Sequence, residues 1–395
     1  MHDILILGGG LVGNSLACAL ENSGLQVGLV EASIPSTGAP GFNERKLALS
    51  AASLTALEHL GVVQKLSAGF SPIRRIHISR AGDFGSVDIQ AKDYQREFFG
   101  GVVLAKDLGA ALEARVSELK NLTMYRPAKV LKVNPDALAA SVVVEIDGKE
   151  KTLEARLVIG ADGTHSMVRS ALGIATDDFD YQQHLFVCSL HTDQVSNGAA
   201  FERFSSQGPV ALLPMPGGQY GALCGVDSDE VNRVEAMNDV EYLDYFQQRF
   251  GWRAGRIRRV GTRSHYPLRK VIATDVIGPG CVLMGNAAQT IHPVGAQGFN
   301  LGLRDALSFV ECLQQHDLQS GELFSSYKES RREDREQTIA FSDGLARLTS
   351  QENSFAKVVR SLGFMGLGLN ADLQAPIVNG AMGFRGKIPK LARGF

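Results

Sequence analysis

The stretch DILILGGGLVGNSLACALENSGLQVGLVEAS, residues 3–33, limits what this chain can fold into, because it alternates the two periods that a βαβ unit requires. Residues 4–7 are an apolar run of strand length, and Gly8, Gly10 and Gly13 fit the spacing G-x-G-x-x-G. Leu11, Ser15, Ala19 and their neighbours predict a helix of small residues, and residues 26–30 predict a second strand that ends at Glu31. Each part has a physical reason. The first glycine allows a tight turn, the second lets a pyrophosphate approach the backbone, and the third lets helix pack on strand. The helix N-terminus offers free N–H groups and the positive end of its dipole to phosphates. Glu31 stands 18 residues beyond Gly13, where a carboxylate can accept from both ribose hydroxyls and would repel a 2′-phosphate. The unit predicts dinucleotide binding and leaves NAD and FAD both open.

At 395 residues the chain is too long for one ordinary core, so two closely packed domains are expected. A formal net charge of -2 leaves no basic footprint, and no nucleic-acid partner is expected. The five cysteines are at least 31 residues apart, without the paired spacing of a zinc or iron–sulfur site. No metal is expected, and reduced thiols fit a cytoplasmic protein. The N-terminus enters its apolar run without a basic leader, which predicts no export. The longest uncharged run, 204–226, has Pro214, Pro216, Gly217 and Gly218 in its middle, so it predicts a strand-turn-strand hairpin rather than a membrane span.

Two further motifs narrow the reading. In ARLVIGADGTHSMVRSALG, residues 155–173, an apolar strand breaks at Ala161-Asp162-Gly163 before a helix-like segment carrying Arg169. In GNAAQTIHPVGAQGFNLGLRDA, residues 285–306, glycines at 285, 295, 298 and 302 leave the backbone bare, as contact with a large flat ligand requires. With these three motifs in this order, the chain resembles the class A flavoprotein aromatic hydroxylases over residues 1–345. PGFNERKLALS, FERFSSQGPVALLPMP, FGWR and RSHYPL make it most similar, within that family, to the ubiquinone-biosynthesis hydroxylases.

The resemblance implies an α/β fold: a Rossmann-like FAD-binding domain of the para-hydroxybenzoate hydroxylase type, with an inserted, mainly antiparallel β-sheet substrate domain and C-terminal helices. The expected FAD domain is discontinuous, 1–72, 101–180 and 276–345, with substrate-domain segments 73–100 and 181–275 and a C-terminal helical segment 346–395. FAD is the implied cofactor, with NAD(P)H and O2 as co-substrates. The first motif would hold the ADP half of FAD. Arg45 would approach the flavin or its phosphates, Lys106 stands where arginine is commoner, and Asp162 would serve the strand–helix link. Asn286 replaces the commoner aspartate and can still accept a ribityl hydroxyl through its amide oxygen. Pro293, Gly295, Gln297, Gly298, Phe299 and Asn300 would line the isoalloxazine.

The implied reaction is hydroxylation of a polyprenylated phenol in ubiquinone biosynthesis through a flavin C4a-hydroperoxide. The expected substrate is 2-polyprenyl-6-methoxyphenol, attacked para to its hydroxyl. Another ring position in the same pathway, a flavoprotein reductase and a non-enzymatic lipid carrier are the alternatives. His292 and Tyr266 are the candidate catalytic side chains, although a lone histidine in a turn also serves structure. Phe201, Phe204, Leu212, Leu213, Met215, Leu223 and Phe299 are candidates for an apolar channel. The tail, 351–395, has six basic residues against Glu352 and Asp372, with apolar LGFMGLGL between. It reads equally as a surface for an anionic membrane and as a helix closing the substrate domain. A peripheral position on the inner face of the cytoplasmic membrane, and a complex with other ubiquinone-pathway enzymes, follow from the same resemblance. Finally, KESRREDREQ, 328–337, predicts a solvated helix face with Arg332 and Glu336 at i,i+4.

Overall fold

The opening strand, His2–Leu7, lies in the middle of an eight-stranded sheet, and Ile4, Leu5, Ile6 and Leu7 are fully buried. A strand covered on both faces has no polar side to alternate with, which is why this one reads as a continuous apolar run. Val27–Val30 and Lys149–Gly160 pair with it in parallel on either side, so that Leu7 stands opposite Val30 and Gly160. Leu122–Tyr125 and Cys281–Leu283 extend the parallel set outward. The C-terminal ends of these strands lie together, and this is the edge at which open α/β sheets bind ligands. A computed structural model describes residues 1–34, 45–350, 361, 363, 371–384 and 386–393.

The second sheet has nine strands. Its order is Gln289–Thr290, Ser264–Ala273, Thr176–Thr192, Tyr220–Asp227, Val210–Pro214, Ala199–Phe204, Arg75–Arg80 and Ser86–Gln90, with Ile257–Val260 also pairing with Thr176–Thr192. The pairing of Ala199–Phe204 with Arg75–Arg80 is parallel and the others are antiparallel. Within the uncharged run, Val210–Pro214 and Tyr220–Asp227 are antiparallel neighbours joined by a turn at Pro216–Gly218. Phe186, Cys188, Leu212, Ala222 and Cys224 face the helix Asp239–Phe250, which buries Tyr242, Phe246 and Phe250 against them. A three-stranded sheet, Lys46–Ser50, Gly100–Leu104 and Ser71–Ile73, packs Ile73 and Val102 against Ala200 and Met215 and so joins the two large sheets.

Helix Gln297–Leu313 lies on the first helix, Leu11–Ala19, and is covered in turn by Gly321–Ser350. The contact between the two long helices is ionic. Arg304 donates to Asp334 at 2.7 and 3.1 Å, and Arg331 donates to Asp305 at 2.9 Å, all four residues being at most 2% exposed. This corrects the solvated reading of 328–337. Arg332 and Glu336 are exposed as expected, with Arg332 paired to Glu329, but Arg331 and Asp334 of the same segment are core residues.

In the tail, helix Ala371–Ala381 packs Val378 and the following Met382 against Val87, Ile89 and Phe99 of the substrate domain. Residues 364–370, most of the apolar LGFMGLGL, and the basic Lys357, Arg360 and Arg385 lie outside the described residues. Among the described residues, no helix is long and apolar enough to cross a membrane.

Candidate active site

At the end of the opening strand Gly8 has φ +104°, a conformation that L side chains rarely adopt. A Cβ on Gly13 would sit 1.9 Å from the Gly8 carbonyl oxygen, so helix and turn can approach this closely only without one. Gly10 is different: a Cβ there would have nothing within 4 Å. It is also the N-cap of Leu11–Ala19, whose first turn has no side-chain cap and no acidic residue. Bare N–H groups therefore face open space, the arrangement that receives a phosphate. Glu31 lies beside them, each carboxylate oxygen accepting one N–H at 2.7 Å, from Gly9 and from Ser33, with lone pairs left over.

The other two motifs converge on the same edge. Asp162 Oδ2 accepts from the N–H groups of Met167 and Val168, at 2.7 and 3.3 Å, while its Oδ1 is buried with no partner. Arg169 ties this loop to the third motif by donating to the carbonyls of Thr164 and Ala287. Asn286 is exposed on that edge. Asp305 holds the base of the third motif by accepting from Gln289 Nε2 at 2.5 Å and from the Gly285 N–H at 3.3 Å.

The turn 293–297 is strained as well as bare. Gly295 (φ +73°) and Ala296 (φ +52°) are successive left-handed residues, which for alanine is unfavourable. Asn300 holds the turn in place: its Oδ1 accepts from Ser50 N–H, and its Nδ2 donates to the carbonyls of Ala48 and Ala296. Its side chain thus clips the turn to the Lys46–Ser50 strand. A Cβ on Gly298 would meet nothing within 4 Å, and the buried Oε1 of Gln297 has no partner. Two open glycines on helix-forming turns, two orphaned buried acceptors and the Glu31 carboxylate beside the first turn fit an FAD laid from the first motif to the third. Phe299 is partly buried and packs against the main core.

His292 is 2% exposed, its ring meets the edge of Tyr181 at 4.7 Å, and its Nδ1 accepts the Val294 N–H at 3.2 Å. Burial lowers its imidazole to about 4, with Asp343 opposing the shift. A neutral ring whose Nδ1 accepts the Val294 N–H holds the backbone of the turn in place. The linkage follows from the direction of this shift. The unfolded chain takes up a proton first, so stability falls as pH drops from about 6.5 towards 4, by about 1.4 kcal/mol per pH unit. Urea unfolding at pH 7 and pH 5 is expected to show this loss of about 2 kcal/mol in the wild type. His292→Asn keeps an acceptor for Val294 and should lose that part of the slope; an unchanged slope would remove His292 as its cause.

Tyr266 lies beneath the Arg45 guanidinium, 5.3 Å from ring centre to Cζ, and burial raises its phenol although Arg45 opposes this. Lys106 is exposed in the first turn of helix Ala105–Val116, beside the backbone bond from Ala105 N–H to the Arg45 carbonyl.

A cavity of about 270 Å³ separates this turn from the substrate sheet. Pro293, Val294, Gly295, Ala296 and Gln297 form one wall. The sheet wall takes alternate residues: Ala200, Glu202 and Phe204 from one strand, Ala211 and Leu213 from the next, then Leu223. Of the expected channel residues, Phe204, Leu213 and Leu223 line it. Phe201 and Leu212 point to the opposite face, Met215 packs under the small sheet, and Phe299 is partly buried against the main core. Neither His292 nor Tyr266 lines the cavity. Sequence reasoning missed Glu202, the one titratable side chain among the lining residues. Its signal is present in AAFERF, a carboxylate in step with Ala200 and Phe204 in a strand otherwise apolar on that face.

The chain matches the FAD binding domain family over residues 1–342. It is 32% identical over 401 residues to Ubiquinone hydroxylase UbiL of Rhodospirillum rubrum, covering 99% of this chain and 92% of the relative. With the 3-demethoxyubiquinol 3-hydroxylase of Escherichia coli it shares 30% identity over 334 residues, 82% of each chain. Among solved structures, p-nitrophenol 4-monooxygenase PnpA from Pseudomonas putida DLL-E4 superimposes with a TM-score of 0.80 at 17% identity, over 98% of this chain and 99% of that one. That likeness bears on the fold alone: a Rossmann-like FAD domain with an inserted antiparallel sheet and C-terminal helices.

Proposed function

The chain belongs to the FAD binding domain family as an FAD-dependent aromatic monooxygenase, and from that premise we propose that it hydroxylates a polyprenylated phenol of ubiquinone biosynthesis. The substrate of this reading is 2-polyprenyl-6-methoxyphenol, hydroxylated para to its hydroxyl. The observation that carries it is the cavity. Its walls are almost wholly aliphatic and aromatic, one being the sheet face and another the 293–297 turn, so a ring with an apolar substituent suits it better than a charged or sugar-like molecule. The relatives named as a ubiquinone hydroxylase and as a 3-demethoxyubiquinol 3-hydroxylase support the pathway.

In this reading FAD, when bound and reduced by NAD(P)H, supplies the activation of O2. The chain's own work is to hold and shield. Gly10 and the first helix turn receive the pyrophosphate, Glu31 the ribose, and the 293–297 backbone the flavin ring. Asn300 fixes that turn to the strand Lys46–Ser50, and the sheet face excludes water from the reacting ring. Contact with a membrane surface, where a polyprenylated phenol resides, and a complex with other enzymes of the pathway belong to the same proposal. Vesicle co-sedimentation and co-purification test them.

The deciding experiment is anaerobic mixing of FAD-loaded protein with NADH or NADPH, with and without a short-chain prenylated methoxyphenol, following the visible flavin absorption. Faster bleaching with the phenol, then para-hydroxylated product when air is admitted, is the expected result. Flavin that stays oxidised in every combination would overturn the proposal, and product hydroxylated elsewhere on the ring would overturn its regiochemistry.

A further inference from the structure

Glu202 is half-buried in the middle of the cavity wall. Its neighbours on the same face are Ile78, opposite it on the parallel strand, and Ala211, opposite it on the antiparallel one. Among the described residues its carboxyl has no hydrogen bond and no ion pair. The charged groups of the neighbouring strands are paired elsewhere or turned away. Arg80, at the end of the same strand face as Ile78, pairs with Asp83 at 3.1 Å. Arg75, His77 and Asp88, which bond to one another, and Arg203 alternate onto the opposite face. The turn wall offers Pro293, Val294, Gly295, Ala296 and Gln297, helix Gly321–Ser350 offers Phe341 and Leu345, and helix Ala371–Ala381 offers Gln374 and Val378, none of them titratable. An unpaired carboxyl facing an apolar cavity is costly unless something in the cavity bonds to it.

We propose that Glu202 is the general base of the reaction: it accepts the hydrogen bond of the substrate's ring hydroxyl and takes its proton as the ring is attacked. This rests on the proposed phenol hydroxylation and adds to it a named group and a reason for the ring position. As the new C–O bond forms at the para carbon, the O–O bond of the activated oxygen breaks and its second oxygen departs with that bond's electron pair, while the hydroxyl proton passes to a Glu202 oxygen and the ring oxygen's electron pair moves into the ring. When the para carbon then loses its own hydrogen as a proton, which the departed oxygen takes up on its way to water, the ring becomes aromatic again and Glu202 returns its proton to the ring oxygen. The oxidant is O2 and the electrons come from NAD(P)H, as the activity requires. Holding the hydroxyl at the sheet wall presents the carbon farthest from it, the para carbon, to the wall formed by the turn.

Burial alone raises the Glu202 carboxyl to about 7. A base must be ionised before it accepts, so kcat/KM should rise with pH through about 7 in the wild type. A group titrating there is well matched to proton transfer near neutral pH.

The test compares wild type, Glu202→Gln and Glu202→Leu, each checked for FAD content and thermal unfolding. The ligands are a short-chain prenylated methoxyphenol and its O-methyl ether. Glutamine still accepts the hydroxyl but cannot take its proton. Glu202→Gln should therefore lose about 100-fold in kcat with KM within threefold, and lose the pH limb near 7. Wild type should bind the phenol at least tenfold more tightly than the ether, and Glu202→Leu should lose that preference. Unchanged kcat and pH profile in Glu202→Gln would overturn the base. Equal binding of phenol and ether by the wild type would overturn the contact itself. Binding that depends on Glu202 without any hydroxylated product would instead overturn the proposed reaction.

Discussion

Gly10→Asp is expected to give a folded protein that no longer retains FAD. The two halves of that outcome come from the same position. Gly10 has φ -73° and ψ -171°, extended backbone that any residue adopts, and a Cβ there meets nothing within 4 Å. As N-cap of Leu11–Ala19, aspartate is a better residue than glycine, so the apo-protein should be a few tenths of a kcal/mol more stable, if it changes at all. The side chain would stand where the first helix turn offers its N–H groups, and its charge would oppose a pyrophosphate. Two like charges about 4 Å apart at an effective dielectric of about 20 repel by about 4 kcal/mol, and losing even about 3 kcal/mol of that weakens binding more than 100-fold. Flavin fluorescence titration and apo-protein thermal unfolding read the two halves separately. Retention of FAD at wild-type affinity would mean that the phosphates lie elsewhere.

Asp305→Ala should have the largest effect on stability. Asp305 is 1% exposed and accepts from Arg331, Gln289 and Gly285, so its removal strips a buried guanidinium of a partner and frees the base of the third motif. Removing one member of a buried pair typically costs about 3–5 kcal/mol. The measurement is urea unfolding of the apo-protein, with Glu329→Ala as reference. Glu329 pairs with Arg332 on the exposed face of helix Gly321–Ser350, which carries Arg331, and its loss should stay within about 0.5 kcal/mol. Equal losses from the two variants would mean that the buried pairs contribute no more than surface ones.

What could be read from the sequence was local. The βαβ unit is legible because both periods and all three glycines fall within 31 residues, and Glu31 follows at a spacing that the pairing of His2–Leu7 with Val27–Val30 enforces. The substrate sheet was legible as strands but not as faces. Phe201 and Phe204, or Leu212 and Leu213, are equally apolar, and only the register against neighbouring strands decides which looks into the cavity. Glu202 escaped notice for that reason. The buried ion pairs were hidden for another: in KESRREDREQ the residues that enter the core, Arg331 and Asp334, are of the same types as those that stay in water. Their partners, Arg304 and Asp305, arrive from a helix that begins at the end of the 293–297 turn. His292 was legible as part of the turn, while the N–H that occupies its ring nitrogen belongs to a backbone geometry no motif records.

The alternation in the substrate sheet bears on how such a protein can change over time. Ala211, Leu213 and Leu223 shape the cavity, whereas Leu212, Ala222 and Cys224, one step along the same strands, hold the domain together against helix Asp239–Phe250. Mutations at the first set alter which molecule fits while leaving the second set's packing intact. New specificities are therefore open to single substitutions at every other residue, and a lineage can explore different aromatic ligands without first acquiring extra stability.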